Sequence, residues 1–254
     1  MQQQRMMIVG AGLMGTGIAA VAARAGYRVA LADRTEQDVE SGKQRLAKSL
    51  SQLQKKHGLT REETSSVEER ISFTTRLSDG KDAELVIEAV SEQLQVKQSV
   101  FKELDQAMHR EAVLASNTST LSIAAIGSVT SRPDRVIGMH FFSPVPMMDL
   151  LELIPSLNTS AATLEFAQRV GEKLGKQRIV AQDTSGFIVN RLLVPMLNEA
   201  AYLVMEGNEP EDVDKGLTLG ANHPIGPLRL ADSVGIDIAL AAIESLYDGF
   251  GDSK

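Results

Sequence analysis

Apolar residues fall along this chain in two kinds of pattern. Short apolar runs occur at residues 5–9, 27–32, 71–74, 84–90, 113–116, 136–141, 150–154 and 178–181, and each has the length of a buried strand. Between them lie stretches with helical spacing, at 15–25, 35–56, 95–108 and 161–174. Strand–helix alternation of this kind predicts a mostly parallel sheet covered on both faces. After Gly186 the pattern changes. Residues 187–205 form one long apolar-periodic helix without a strand partner, and 209–219 and 231–250 continue as helices. Pro195 inside the long helix predicts a kink or a local break. The boundary falls near 183–186, which divides the chain into an α/β domain at 1–184 and an all-helical domain at 185–254.

Composition narrows the function classes. At roughly 150 residues per domain, 254 residues suit one large or two modest domains. The formal charge of −7 gives no basic field for nucleic acid, so no nucleic-acid partner is expected. There is no cysteine, which removes disulfides, thiolate nucleophiles and cysteine zinc sites. No metal-ligand cluster stands out, and no metal is expected. No apolar run approaches the ~18 residues of a membrane span, and the first residues lack a signal-peptide pattern. The expected location is the cytoplasm, without a membrane partner.

The turn between the first strand and the first helix reads Gly10-Ala11-Gly12-Leu13-Met14-Gly15. This is the G-x-G-x-x-G arrangement in its required strand–turn–helix setting. Gly10 permits the tight turn, Gly12 lets backbone approach a pyrophosphate, and Gly15 lets the helix pack on the strand. The helix N-terminus then offers N–H groups and partial positive charge to phosphate. Asp33 closes the second strand, where a carboxylate accepts the adenosine ribose hydroxyls and repels a 2′-phosphate. The cofactor expected is NAD rather than NADP, although Arg34 next door is a residue that also meets phosphate. The architecture is a Rossmann-like, doubly wound α/β sheet followed by the helical domain.

Of four histidines, only His140 ends a predicted strand. Ligands of a doubly wound sheet bind beyond the carboxyl ends of its strands, so His140 is placed for proton transfer. Glu152 lies on the next apolar run, where a carboxylate would fix the imidazole tautomer. The competing reading is a satisfied core histidine.

Several separate segments then make the chain resemble the short-chain L-3-hydroxyacyl-CoA dehydrogenases, particularly the bacterial 3-hydroxybutyryl-CoA dehydrogenases. They are GAGLMGTGIA at 10–19, VIEAV at 86–90, LASNTSTLSI at 114–123 and GMHFFSPVP at 138–146. LLELI at 150–154, DTSGFIVNRLL at 183–193 and GANHPIGPLRLAD at 220–232 follow in order. The resemblance implies an enzyme that moves hydride between C3 of a 3-hydroxyacyl-CoA and NAD. His140 matches the family's general base and Glu152 its carboxylate partner. Ser119 matches a serine that binds the substrate oxygen near the nicotinamide, with helix capping as the plain alternative. Asn190 matches the asparagine that reaches the substrate from the helical domain, with an interhelical hydrogen bond as the alternative. Glu92 and Lys97 match residues beside the cofactor, and Ser49 and Lys56 match positions that touch CoA. Lys43, Arg45, Lys48 and Lys55 add a basic stretch that is suited to CoA phosphates or simply to solvent.

Three departures accompany the match. Ser143, expected beside the nicotinamide, stands where the family commonly has asparagine. Asp149 stands where a basic residue is common. The sequence stops at Lys254, before a further helix and a Gly- and Lys-rich segment, so it is either truncated or a naturally short member. The resemblance further implies an acyl-CoA substrate and a homodimer formed through the helical domain. A dehydrogenase for another 3-hydroxy acid or for 3-hydroxyadipyl-CoA, and a non-catalytic NAD-binding structural protein, are the alternative readings.

Overall fold

The computed structural model describes residues 4–251. The first unit comprises residues up to Thr118 together with Ser122–Asp183. It is built on an eight-stranded sheet of β1 (Arg5–Val9), β2 (Arg28–Ala32), β3 (Ile71–Thr74), β4 (Leu85–Glu88), β5 (Val113–Ser116), β6 (Val136–Phe141), β7 (Leu150–Pro155) and β8 (Gln177–Val180). Their order across the sheet is β3-β2-β1-β4-β5-β6-β7-β8. The first six run parallel, β7 is antiparallel to β6, and β8 is parallel to β7. The helices are α1 (Leu13–Arg24), α2 (Glu36–His57), α3 (Arg61–Glu68), α4 (Leu94–Ala107), α5 (Ile123–Gly127) and α6 (Ala161–Lys173).

The central strands are apolar without alternation because helices cover both faces. All of β4, β5 and β6 is buried, and Met6, Ile8, Leu31, Ile87, Met139 and Phe141 lie in one core. Ala19, Ala20, Ala22 and Ala23 are the inner residues of α1, short enough for the helix to lie close to the sheet. Helix ends are set locally. The Thr35 hydroxyl accepts from the Asp38 N–H at the start of α2, and Gly58 ends that helix in the left-handed region. Thr60 and Glu63 cap α3 reciprocally.

Ser119–Leu121 group with the residues from Thr184 onward as a second unit. It contains α7 (Val189–Met205), α8 (Pro210–Gly220), α9 (Pro227–Val234) and α10 (Ile236–Phe250). α7 runs through Pro195, so the proline does not end the helix. The continuous helix expected at 231–250 is two helices. Gly235 takes a φ of +105°, which breaks the hydrogen-bonded path between α9 and α10. The buried Asp214 carboxylate of α8 accepts from the N–H groups of Leu228 (2.9 Å) and Arg229 (3.3 Å), tying α8 to the first turn of α9. Arg191 stacks on the Phe250 ring at 4.3 Å, joining the start of α7 to the end of α10. Among the described residues no helix is long and apolar enough to cross a membrane.

Candidate active site

The turn after β1 has the geometry of a phosphate cradle. Gly10 adopts a φ of +106° and donates its N–H to the Ala32 carbonyl of β2 at 2.8 Å. A Cβ on Gly15 would lie 1.8 Å from the Gly10 carbonyl oxygen, so the first turn of α1 approaches the strand only because that carbon is missing. Gly12 caps α1 without a side-chain hydrogen bond, and a Cβ there would meet nothing within 4 Å. Its Cα therefore faces open space at the positive end of a helix. Ala11 is buried beneath the turn, while Leu13 is exposed and Met14 half-buried at its rim.

Asp33 is tied to this turn. Its two carboxylate oxygens accept from the N–H groups of Ala11 and Arg34, each at 2.7 Å. Arg45 of α2 donates to the Ala11 carbonyl at 3.3 Å, so this residue of the basic stretch reaches the turn itself. An open glycine face, a helix N-terminus and a fixed carboxylate at the end of β2 fit the pyrophosphate and adenosine ribose of NAD. Gly15→Ala tests the close approach. It should weaken NADH binding at least ~10-fold and destabilise the fold by ~1–3 kcal/mol through overpacking. Fluorescence titration with NADH and a thermal melt read the two effects.

A charged network occupies the carboxyl ends of β4 and β5. Glu88 and Ser116 are register partners on those strands, and the Ser116 hydroxyl donates to the Glu88 carboxylate at 2.7 Å. Lys97, 1% exposed on α4, donates to Glu88 at 2.7 Å and lies 3.2 Å from the Glu92 carboxylate. The Val90 N–H also bonds to Glu88 (2.7 Å), and the Thr118 hydroxyl donates to Glu92. Lys97 and Glu92 are thus brought together, with Lys97 holding a buried carboxylate. Glu88, Ser116 and Thr118 did not stand out as site residues in the sequence. The usable signal was an acid inside the apolar run at 86–90.

His140 and Glu152 sit directly opposite each other on β6 and β7. The His140 Nδ1 lies 2.7 Å from Glu152 Oε2, and both side chains are buried, Glu152 completely. With Glu152 ionised, Nδ1 carries the shared proton, and the basic lone pair resides on Nε2. The His140 ring packs on Phe142, with centroids 4.4 Å apart. Asn117 follows β5, and its side-chain carbonyl accepts from the Phe141 N–H at 2.9 Å, which fixes the end of the histidine strand. Phe142 and Asn117 thus brace the histidine and its strand, and spacing alone does not single them out.

The remaining candidates are dispersed. Ser143 is exposed in the loop after β6. Ser49 is buried on the inner face of α2. Lys56 is held by the Met147 carbonyl (2.8 Å) and the Asp149 carboxylate. The acid at 149 thus has a lysine partner, and its carboxyl is held below the usual carboxylate range by the Lys56 hydrogen bond and charge. Ser119 and Asn190 are half-buried residues of the second unit. No group of three or more His, Cys, Asp or Glu that could hold a metal ion occurs among the described residues.

Comparison with known proteins assigns the family. The family described as "3-hydroxyacyl-CoA dehydrogenase, NAD binding domain" matches residues 5–184, and "3-hydroxyacyl-CoA dehydrogenase, C-terminal domain" matches 186–254. A probable 3-hydroxybutyryl-CoA dehydrogenase of Bacillus subtilis is 46% identical, over 100% of this chain and 89% of that protein. The 3-hydroxybutyryl-CoA dehydrogenase of Clostridioides difficile is 41% identical, over 98% of this chain and 89% of that protein. The crystal structure of (S)-3-hydroxybutyryl-CoA dehydrogenase from Ralstonia eutropha superposes with a TM-score of 0.92 at 44% identity, over 99% of this chain and 89% of that one. The cradle, the strand-end chemistry and these matches agree: the chain belongs to the 3-hydroxyacyl-CoA dehydrogenase family and is an NAD-dependent enzyme of that family.

Proposed function

We propose that this enzyme interconverts a short-chain 3-hydroxyacyl-CoA, 3-hydroxybutyryl-CoA, and its 3-keto product, acetoacetyl-CoA, with His140 as the proton-transfer group. The observation that carries this reading is the buried His140–Glu152 pair, 2.7 Å apart at facing positions of two adjacent strands. Bound NAD supplies the acceptor for the hydride that leaves C3. Nε2 of His140 takes the proton from the 3-hydroxyl, and Glu152 orients the ring and offsets the charge of the imidazolium that results. In the reverse direction the imidazolium returns that proton to the oxygen at C3.

Gly10, Ala11, Gly12, Leu13, Met14 and Gly15 would hold the pyrophosphate, and Asp33 the adenosine ribose. Glu92, Lys97, Ser119 and Ser143 are proposed to border the nicotinamide half. Ser119 and Asn190 are proposed to donate to the substrate oxygen, and Ser49 and Lys56 to lie toward CoA. The division of labour is proposed to run between a cofactor domain, 1–184, and a helical domain, 185–254, that contributes to substrate binding. The helical unit exposes Leu192, Met205, Leu219, Ile236, Ile238 and Leu240 among the described residues, which supports a homodimer through that unit. The bacterial relatives support a cytoplasmic location.

Mixing the purified protein with acetoacetyl-CoA and NADH should consume the NADH, followed by its absorbance, while NADPH in its place should not be consumed. Equal rates with both cofactors would remove Asp33 as the discriminator. Bound NADH without turnover would reject the proposed substrate.

A further inference from the structure

Among the described residues the mechanism leaves two buried cations unused, Arg132, which is paired with Asp105, and Lys176. Lys176 lies in the turn between α6 and β8 and is 5% exposed. Its ammonium donates to the carbonyls of Val145 and Met148, each at 2.6 Å. Lys56, from the end of α2, takes the carbonyl of Met147 between them. Two lysines distant in sequence thus gather three carbonyls of one loop. That loop joins β6 to β7 and contains Ser143, with His140 on the strand before it and Glu152 on the strand after it. Its other side is fixed as well. Val145 is buried against α1, where a Cβ on Gly17 would lie 2.8 Å from the Val145 Cβ.

A lysine in such a place is unfavourable unless something needs it. Burying an ammonium carries a large desolvation cost, and neutral carbonyls offset it less than a carboxylate does. The charged groups that face Lys176 are mostly of its own sign, Arg24 at the end of α1 and Lys56 at the end of α2, while burial and these cations push the neighbouring His57 below its ordinary value, so that it adds no charge at pH 7. Asp149 is the opposing charge, and Lys56 already holds it. What the ammonium provides is direction, because it binds two carbonyls of the loop at once.

We propose that Lys176 is a positioning residue for the reaction: its buried ammonium, with Lys56 beside it, clamps the 145–148 loop and so keeps Ser143 and the His140–Glu152 hairpin in place. This rests on the proposed role of His140. Burial and the neighbouring cations lower the Lys176 ammonium to about 8, so the clamp is charged at pH 7 and loses its charge as the pH rises through that value. Charge-assisted hydrogen bonds to the loop weaken in that direction.

The test is amide hydrogen exchange by mass spectrometry on the whole protein, corrected for base catalysis of exchange, beside steady-state kinetics at pH 7. In the unmodified enzyme, exchange at 143–149 should accelerate between pH 7 and pH 9.5 while β1, β4 and β5 keep their protection. Lys176→Met should show the faster exchange already at pH 7, by roughly 10-fold, with a similar loss of kcat and little change in KM. Lys176→Arg, which keeps a charge at all these pH values, should abolish the pH dependence of exchange. Loop exchange that ignores pH in the unmodified enzyme overturns the clamp, and that arm needs no variant. Faster exchange in Lys176→Met with unchanged kcat overturns the positioning role. Turnover absent in the unmodified enzyme counts against the substrate reading instead, and the exchange arms still decide whether Lys176 holds the loop.

Discussion

Replacing His140 by Gln should lower turnover of acetoacetyl-CoA by about 10²–10⁴-fold, the range general acid–base catalysis supplies, while NADH affinity stays unchanged. Glutamine is the informative replacement because of Glu152. That carboxylate is completely buried and its hydrogen bond to the ring is 2.7 Å long. An alanine would remove the ring's hydrogen bond to that buried carboxylate and leave a void beside it. The glutamine amide can still donate to Glu152 but has no lone pair basic enough to take a proton. The fold should therefore survive while the chemistry is lost. Steady-state kcat, NADH fluorescence titration and a thermal melt separate these effects. Unchanged turnover would remove His140 from the mechanism, and lost NADH binding would mean that the histidine supports the cofactor site instead.

Lys97→Met should cause the largest loss of stability of any single change considered. Lys97 and Glu88 are 1% and 0% exposed and 2.7 Å apart. Removing the ammonium leaves Glu88, among the described residues, with the Ser116 hydroxyl and the Val90 N–H. Breaking a buried pair in this way costs about 3–5 kcal/mol. In a domain of this size each kcal/mol shifts the midpoint by ~2–4 °C, so Tm should fall by about 10 °C. Adding Glu88→Gln to Lys97→Met should restore part of the loss, because no buried charge then remains uncompensated. Urea denaturation of the single and double variants measures this coupling. A single variant that unfolds together with the unmodified protein would show that Glu88 finds another partner.

The sheet was legible in the sequence because its strands are continuous apolar runs, and a run such as residues 5–9 has few other uses in a chain of this composition. The cradle was legible for a related reason, since glycines spaced between a strand and a helix carry their constraint in the sequence itself. Other features were not legible, each because its cause lies far along the chain. The stretch 231–250 keeps its apolar character across Gly235, and only the backbone angle there reveals two helices. Lys176 looks like an ordinary turn lysine until carbonyls about 30 residues earlier are found on its ammonium. Lys56 belongs to a run of helix cations, yet Asp149, 93 positions later, is its partner. His140 and Glu152 were readable as a base and an acid. Their facing register was not, because it depends on β7 reversing direction beside β6.

That reversal bears on how such a chain tolerates insertions and deletions over generations. The two groups proposed to handle the proton share one hairpin, and side chains along a strand alternate between its faces. Losing one codon within β7 would bring Leu151 or Leu153 opposite His140 and turn a carboxylate toward the other side of the sheet. Losing one codon within the loop leaves the phase of both strands intact and strains only its tethers. Selection on this hairpin therefore acts on reading phase as well as on residue identity. Descendants that vary the spacing between His140 and Glu152 should carry their length changes inside the loop, where carbonyls can be exchanged for one another on the lysines.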